Sequence, residues 1–123
     1  MAIEKLTKRE QDVMEILWHA HHQMSASEIQ EASDDVSIYT VQQVLRRLLE
    51  MKYIEVSGFG QHVKVLMRYY VPLISEADYI GSFMDDSTAE QVSENFIRKT
   101  EDREVLEKLK KQIVEREKEL KKK

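Results

Sequence analysis

The chain has 123 residues, 41% hydrophobic and 34% charged, which fits one or two small domains with a modest core. Three Gly and one Pro are too few for a turn-rich or linker-like chain, and the absence of Cys excludes disulfides, thiolate metal sites and a Cys nucleophile. The net charge of −4 argues against nucleic acid only until it is resolved along the chain: residues 37–70 set Arg46, Arg47, Lys52, Lys64 and Arg68 against Glu50 and Glu55, whereas residues 1–36 hold three basic and eight acidic side chains.

Thr7-Lys-Arg-Glu10 has the spacing of a capping box, in which a hydroxyl accepts the N3 amide and an acidic side chain reaches back. It predicts a helix over 8–20, with Val13, Met14, Leu17 and Ala20 as one apolar stripe and Trp18 packing near it. Ser25-Ala-Ser-Glu28 repeats the signal for a short second helix, Ile29 and Ala32 inward, ending at Ser33-Asp34-Asp35. Ser37 caps a third helix over 38–51. Val41, Val44, Leu45, Leu48 and Leu49 form its buried stripe; Tyr39, Thr40, Gln42, Gln43, Arg46 and Arg47 form its other face, with no acid before Glu50.

The period then becomes strand-like. Tyr53-Ile-Glu-Val-Ser57 is β-prone, Gly58-Phe59-Gly60-Gln61 reads as a turn, and His62 to Val71 alternates, with Val63, Val65, Met67, Tyr69 and Val71 on one face. One of Tyr69 and Tyr70 is therefore buried, and Pro72 closes the pair. Three helices followed by a hairpin is the order of a winged helix. The expected fold class is mainly α with a small β-hairpin, the winged helix-turn-helix occupying 1–73.

From Ser75 the chain returns to helix. Ser75-Glu-Ala-Asp78 resembles a capping box and is followed by Ile80, Phe83 and Met84; Ser87-Thr-Ala-Glu90 opens a clearer helix with Ala89, Val92 and Phe96 on one face. Asp102 caps a final helix over 103–122, with Leu106, Leu109, Ile113 and Leu120 as a narrow seam among Glu and Lys. These apolar groups are too few to close a core for residues 74–123 alone. A second copy of the chain would cover them, making 74–123 a helical dimerisation region with Phe96, Leu106, Leu109 and Ile113 between chains. The alternative is that these helices fold back on residues 1–72.

The third helix carries the functional signal. A helix in the major groove must offer hydrogen-bonding or cationic side chains to base edges. Tyr39, Thr40, Gln42 and Gln43 are the base-edge candidates; Arg46, Arg47 and Lys64 are the phosphate candidates, with His62 beside Lys64 on the wing. A rival reading, consistent with the acidic total, is a winged-helix module that binds protein. His19, His21 and His22 sit at the first helix's C-terminus, where the backbone dipole favours cations, and lack the further ligands a metal needs. No G-x-S-x-G, P-loop or H-E-x-x-H occurs, so no enzyme and no cofactor are expected. No run approaches the about 18 apolar residues of a membrane helix, and Met-Ala-Ile-Glu-Lys does not open a signal peptide, so the expected location is cytoplasmic.

Leu6-Thr7-Lys8-Arg9-Glu10 with Val13-Met14-Glu15-Ile16-Leu17-Trp18 resembles the opening of the BlaI/MecI penicillinase-repressor family of bacterial winged-helix regulators. The likeness continues through Thr40-Val41-Gln42-Gln43-Val44-Leu45-Arg46-Arg47-Leu48, Tyr53-Ile54 and Arg68-Tyr69-Tyr70, and covers the C-terminal half more loosely. It implies a homodimeric repressor that sets one winged helix on each half of a dyad operator and dimerises through C-terminal helices. In antibiotic-responsive members a membrane sensor-protease pathway cuts the repressor at an Asn-Phe bond; this sequence has Asn95-Phe96 in the matching helical region. Tyr39, Gln42 and Gln43 differ in type from the basic and Thr residues of the β-lactam repressors, which implies a different operator, and the wing loop around Gly58-Phe59-Gly60 is longer.

Overall fold

The computed structural model describes residues 3–62 and 65–122. Two compact units divide the chain, Met1–Phe83 and Met84–Lys123. The first holds α1 (Lys8–Ala20), β1 (Met24–Ser25), α2 (Ala26–Ala32), α3 (Ile38–Glu50), β2 (Ile54–His62), β3 (Val65–Pro72) and α4 (Glu76–Gly81). The strands form one antiparallel sheet in the order β1-β3-β2. This is a winged helix, mainly α with a small β-hairpin, as the element order predicted.

Both capping boxes are complete. Thr7 Oγ1 accepts the Glu10 amide while Glu10 accepts the Thr7 amide, and Ser25 and Glu28 repeat the exchange. Ser37 Oγ accepts the Thr40 amide and starts α3. At its other end α1 stops at His21, whose left-handed φ of 59° turns the chain. The apolar stripes meet as predicted: Val13, Met14 and Leu17 pack with Ile29, Val41, Val44, Leu45 and Leu48, and Ile54 and Tyr70 close the core from the sheet. Ala32 is exposed, against expectation; α2 has only seven residues, and Ile29 fills its inward position.

The wing also differs from its sequence reading. Gly58–Gln61 is not a turn, because β2 runs on to His62. A bulge at Ser57 separates the Val56–Tyr70 pair from the Gly58–Tyr69 pair. Ser57 Oγ donates to Gln23 Oε1 at 2.7 Å, so the bulged residue is anchored to the segment before β1. Gly60 lies under the Tyr69 ring, where a Cβ would come within 2.6 Å of the aromatic carbons. Tyr70 is the buried member of the tyrosine pair, so Leu66 and Arg68 share the face that turns toward the helices. Val63 and Lys64 lie outside the described residues, as do the side chains of His62 and Val65.

The first compact unit extends past residue 73, where the expected winged helix closes after Pro72, because α4 is bound to α1. Tyr79 is buried, and its hydroxyl accepts the Leu6 amide at 2.8 Å. Trp18 Nε1 donates to the Ile74 carbonyl at 2.8 Å, and the Trp18 and Tyr79 rings lie 5.7 Å apart. Phe83 stands edge-on to Tyr79 at 5.0 Å, and His19 Nε2 is 3.0 Å from Glu76. Tyr79, which the sequence reading passed over, is thus the anchor of α4, while Ile80 and Phe83 stay exposed.

The second unit holds α5 (Asp86–Lys99) and α6 (Arg103–Lys121). The cap of α5 is Asp85, not Ser87: its carboxylate accepts the Thr88 amide at 2.7 Å, and that bond holds the Asp85 carboxyl below the usual carboxylate range. Asp102 caps α6 as predicted, accepting the Glu104 and Val105 amides. Neither helix buries a residue. Val92, Phe96, Ile97 and Ile113 are exposed, and Leu106 and Leu109 half-buried.

Candidate nucleic-acid interface

Burial of Val41, Val44, Leu45 and Leu48 fixes the rotation of α3 about its axis. The consequence is a single outward stripe at i, i+3, i+4 and i+7: Tyr39, Gln42, Gln43 and Arg46, all exposed, with Tyr39 at 77%. Thr40 and Arg47, seven residues apart, lie on one flank. The Thr40 hydroxyl is 3.1 Å from Ser37 Oγ and belongs to the cap. Arg47 Nη2 is 3.1 Å from Glu4 Oε1, and its Nε is 3.9 Å from Glu10 Oε2. Glu4 is itself fixed, since Tyr53 donates its hydroxyl to the Glu4 carbonyl at 2.6 Å. A phosphate reaching Arg47 would therefore have to displace two carboxylates. Arg46, one position on, has no carboxylate partner among the described residues. Adjacent arginines in the sequence thus occupy opposite electrostatic settings.

Beside the stripe, α3 and β3 enclose a groove of about 500 Å³. Gln42 and Arg46 line it from α3, Leu66 and Arg68 from β3, and Ser27 from α2; no acidic side chain lines it. Arg68 is exposed and, among the described residues, pairs with no carboxylate. The sequence reading counted Arg68 in the basic segment and gave it no role. Strand alternation alone does not say which of Tyr69 and Tyr70 is inward, and that choice decides where Arg68 points. Of the expected contacts the structure thus gathers Tyr39, Gln42, Gln43 and Arg46, sets Thr40 and Arg47 to the side, and leaves Lys64 outside the described residues.

Such a surface offers hydrogen-bond donors and acceptors and two unpaired guanidinium groups beside a protruding hairpin. Among the described residues no group of three His, Asp or Glu side chains is placed to hold a metal, and no helix is long and apolar enough to cross a membrane.

No curated protein matches the chain. The family model described as penicillinase repressor matches residues 6–115, which takes in the whole winged helix, all of α5 and most of α6. The exposed stripe of α3, the wing and that match agree: the chain belongs to the penicillinase repressor family, DNA-binding repressors of transcription.

Proposed function

We propose that the protein is a cytoplasmic homodimer that represses transcription by placing one winged helix on each half of a dyad operator. The observation that carries this reading is the acid-free outward stripe of α3, exposed beside the wing while the opposite face is locked in the core. Tyr39, Gln42 and Gln43 meet base edges and Thr40 the edge of the contact. Arg46 neutralises a phosphate, with Arg47 and Lys64 at the margins. Residues 1–73 supply the DNA contacts, and within 74–123 the helices α5 and α6 supply the pairing of chains, α4 being docked on the first unit. Phe96, Leu106, Leu109 and Ile113 supply the apolar contacts, since helices that bury nothing within one chain are marginal in water. Fluorescence anisotropy of labelled duplexes across a salt series tests the DNA reading: log Kd must rise steeply with log salt. Salt-independent binding, or none, would favour a module that binds protein.

Release from DNA follows from cleavage at Asn95-Phe96 by a membrane sensor-protease pathway. The bond lies within α5, where the Phe96 carbonyl accepts the Thr100 amide at 3.0 Å and Arg98 donates to Asn95 Oδ1 at 2.7 Å. A protease needs an extended strand, so α5 must open before the cut. The cut would detach residues 96–123 and the Leu106, Leu109 and Ile113 seam, leaving the winged helix folded but unpaired. Mass spectrometry of the protein from induced host cells decides this: a fragment ending at Asn95 supports it, and an intact chain under full derepression ends it.

A further inference from the structure

We propose that Arg68 is a DNA-contacting residue that grips the same stretch of phosphate backbone as Arg46, from the opposite wall of the groove between α3 and β3. The inference rests on the DNA reading above and extends it to a residue on the wing. Three observations converge on it. Arg46 and Arg68 line one groove from two different elements. Both are exposed, and among the described residues neither has a carboxylate partner, whereas Arg47 has two. The lining contains no acid, in a chain whose net charge is −4.

The fold explains why Arg68 faces this way. Tyr70 is buried against the helices, and side chains two apart on a strand share a face. Arg68 is therefore carried on the helix side of the wing, just past the end of the core. Its cross-strand partner is Phe59, which is 63% exposed. Leu66, two positions away on the same strand, is 69% exposed, and neither of these apolar neighbours can neutralise the guanidinium. With α3 laid along a major groove, the hairpin beside it meets the sugar-phosphate strand that borders that groove. An anion between α3 and β3 would receive donors from both arginines and from the Gln42 amide. A guanidinium suits this site because its planar fork bonds two phosphate oxygens at once.

The test compares the full-length wild type with R46A, R68A and R68K on two labelled duplexes, one of arbitrary sequence and one selected by the wild type from a random pool. R68A should weaken both duplexes by the same factor, on the order of tenfold. It should lower the salt slope by about 0.9, as loss of one phosphate contact requires. R68K should keep the slope and recover part of the affinity. The R46A/R68A pair should lose less than the product of the single losses, because both groups serve one site. If R46A lowers the slope and R68A does not, Arg68 makes no phosphate contact and the DNA reading survives. If neither variant changes binding, the DNA reading itself fails. If R68A reorders the duplexes with an unchanged slope, Arg68 reads bases and the clamp is wrong. Thermal melting checks the fold; should R68A melt early, R68Q, which keeps the length and loses the charge, decides by the same slope.

Discussion

Tyr79 and Leu6, 73 positions apart, are joined by a hydrogen bond of 2.8 Å from the Leu6 amide to the Tyr79 hydroxyl, with both residues buried. That bond ties α4 to the segment before α1 and makes α4 part of the first unit. Y79F would leave the Leu6 amide without its acceptor, at a cost of about 1–3 kcal/mol. Y79A would also empty the ring's site beside Trp18 and cost about 3–5 kcal/mol. Urea unfolding of a 1–83 fragment measures both. A 1–73 fragment, which lacks Tyr79 altogether, should melt well below 1–83; equal midpoints would show that α4 adds nothing.

The contrast between Arg46 and Arg47 gives a second test. R46A should lower the salt slope of duplex binding by about one unit. R47A should lower it less, because Glu4 and Glu10 already occupy that guanidinium. Its half-exposed ion pairs should contribute no more than about 1 kcal/mol to folding. Q43A should change preference at one base pair by about 1–3 kcal/mol and leave the slope as it was. Equal slopes for R46A and R47A would remove the distinction.

Assembly is tested on α6. L109D would place a carboxylate in the proposed apolar contact between chains, where an unpaired charge is strongly disfavoured. Sedimentation should show a wild-type dimer at micromolar concentration and an L109D monomer with normal helicity in the first unit. Operator affinity should fall with it, since one half-site supplies only part of the contacts. A wild-type monomer would overturn the assignment of residues 74–123 to pairing.

Alkaline pH should loosen the N-terminal segment. Burial raises the Tyr53 hydroxyl above its ordinary value of 10.0, and the nearby Glu4 and Glu10 carboxylates add to the effect. A group whose folded pKa is raised contributes stability that is complete below the unfolded value and declines as pH rises beyond it. Stability should therefore be flat with respect to Tyr53 up to about pH 10 and fall above it, together with the bond from Tyr53 to the Glu4 carbonyl. Y53F removes the titrating group, so its stability curve should lack that part of the decline.

The sequence by itself determined the helices of the winged helix and the outward stripe of α3. Both capping boxes, the Ser37 cap and the Val41, Val44, Leu45 and Leu48 repeat are local chemistry, settled within a turn or two of chain. The family likeness was legible in the same segments. What tertiary structure decided depends on partners distant in the chain. Strand β1 has two residues, too few for any period, and exists only because Tyr69 and Tyr70 pair with it. The bulge at Ser57 needs Gln23, the docking of α4 needs Leu6 and Trp18, and the neutralisation of Arg47 needs Glu4 and Glu10. Arg68 shows the same limit: its charge is written in the sequence, but its direction was set only when Tyr70, rather than Tyr69, entered the core. Side-chain alternation fixes which residues share a face, and only packing against the helices chooses which face is turned inward.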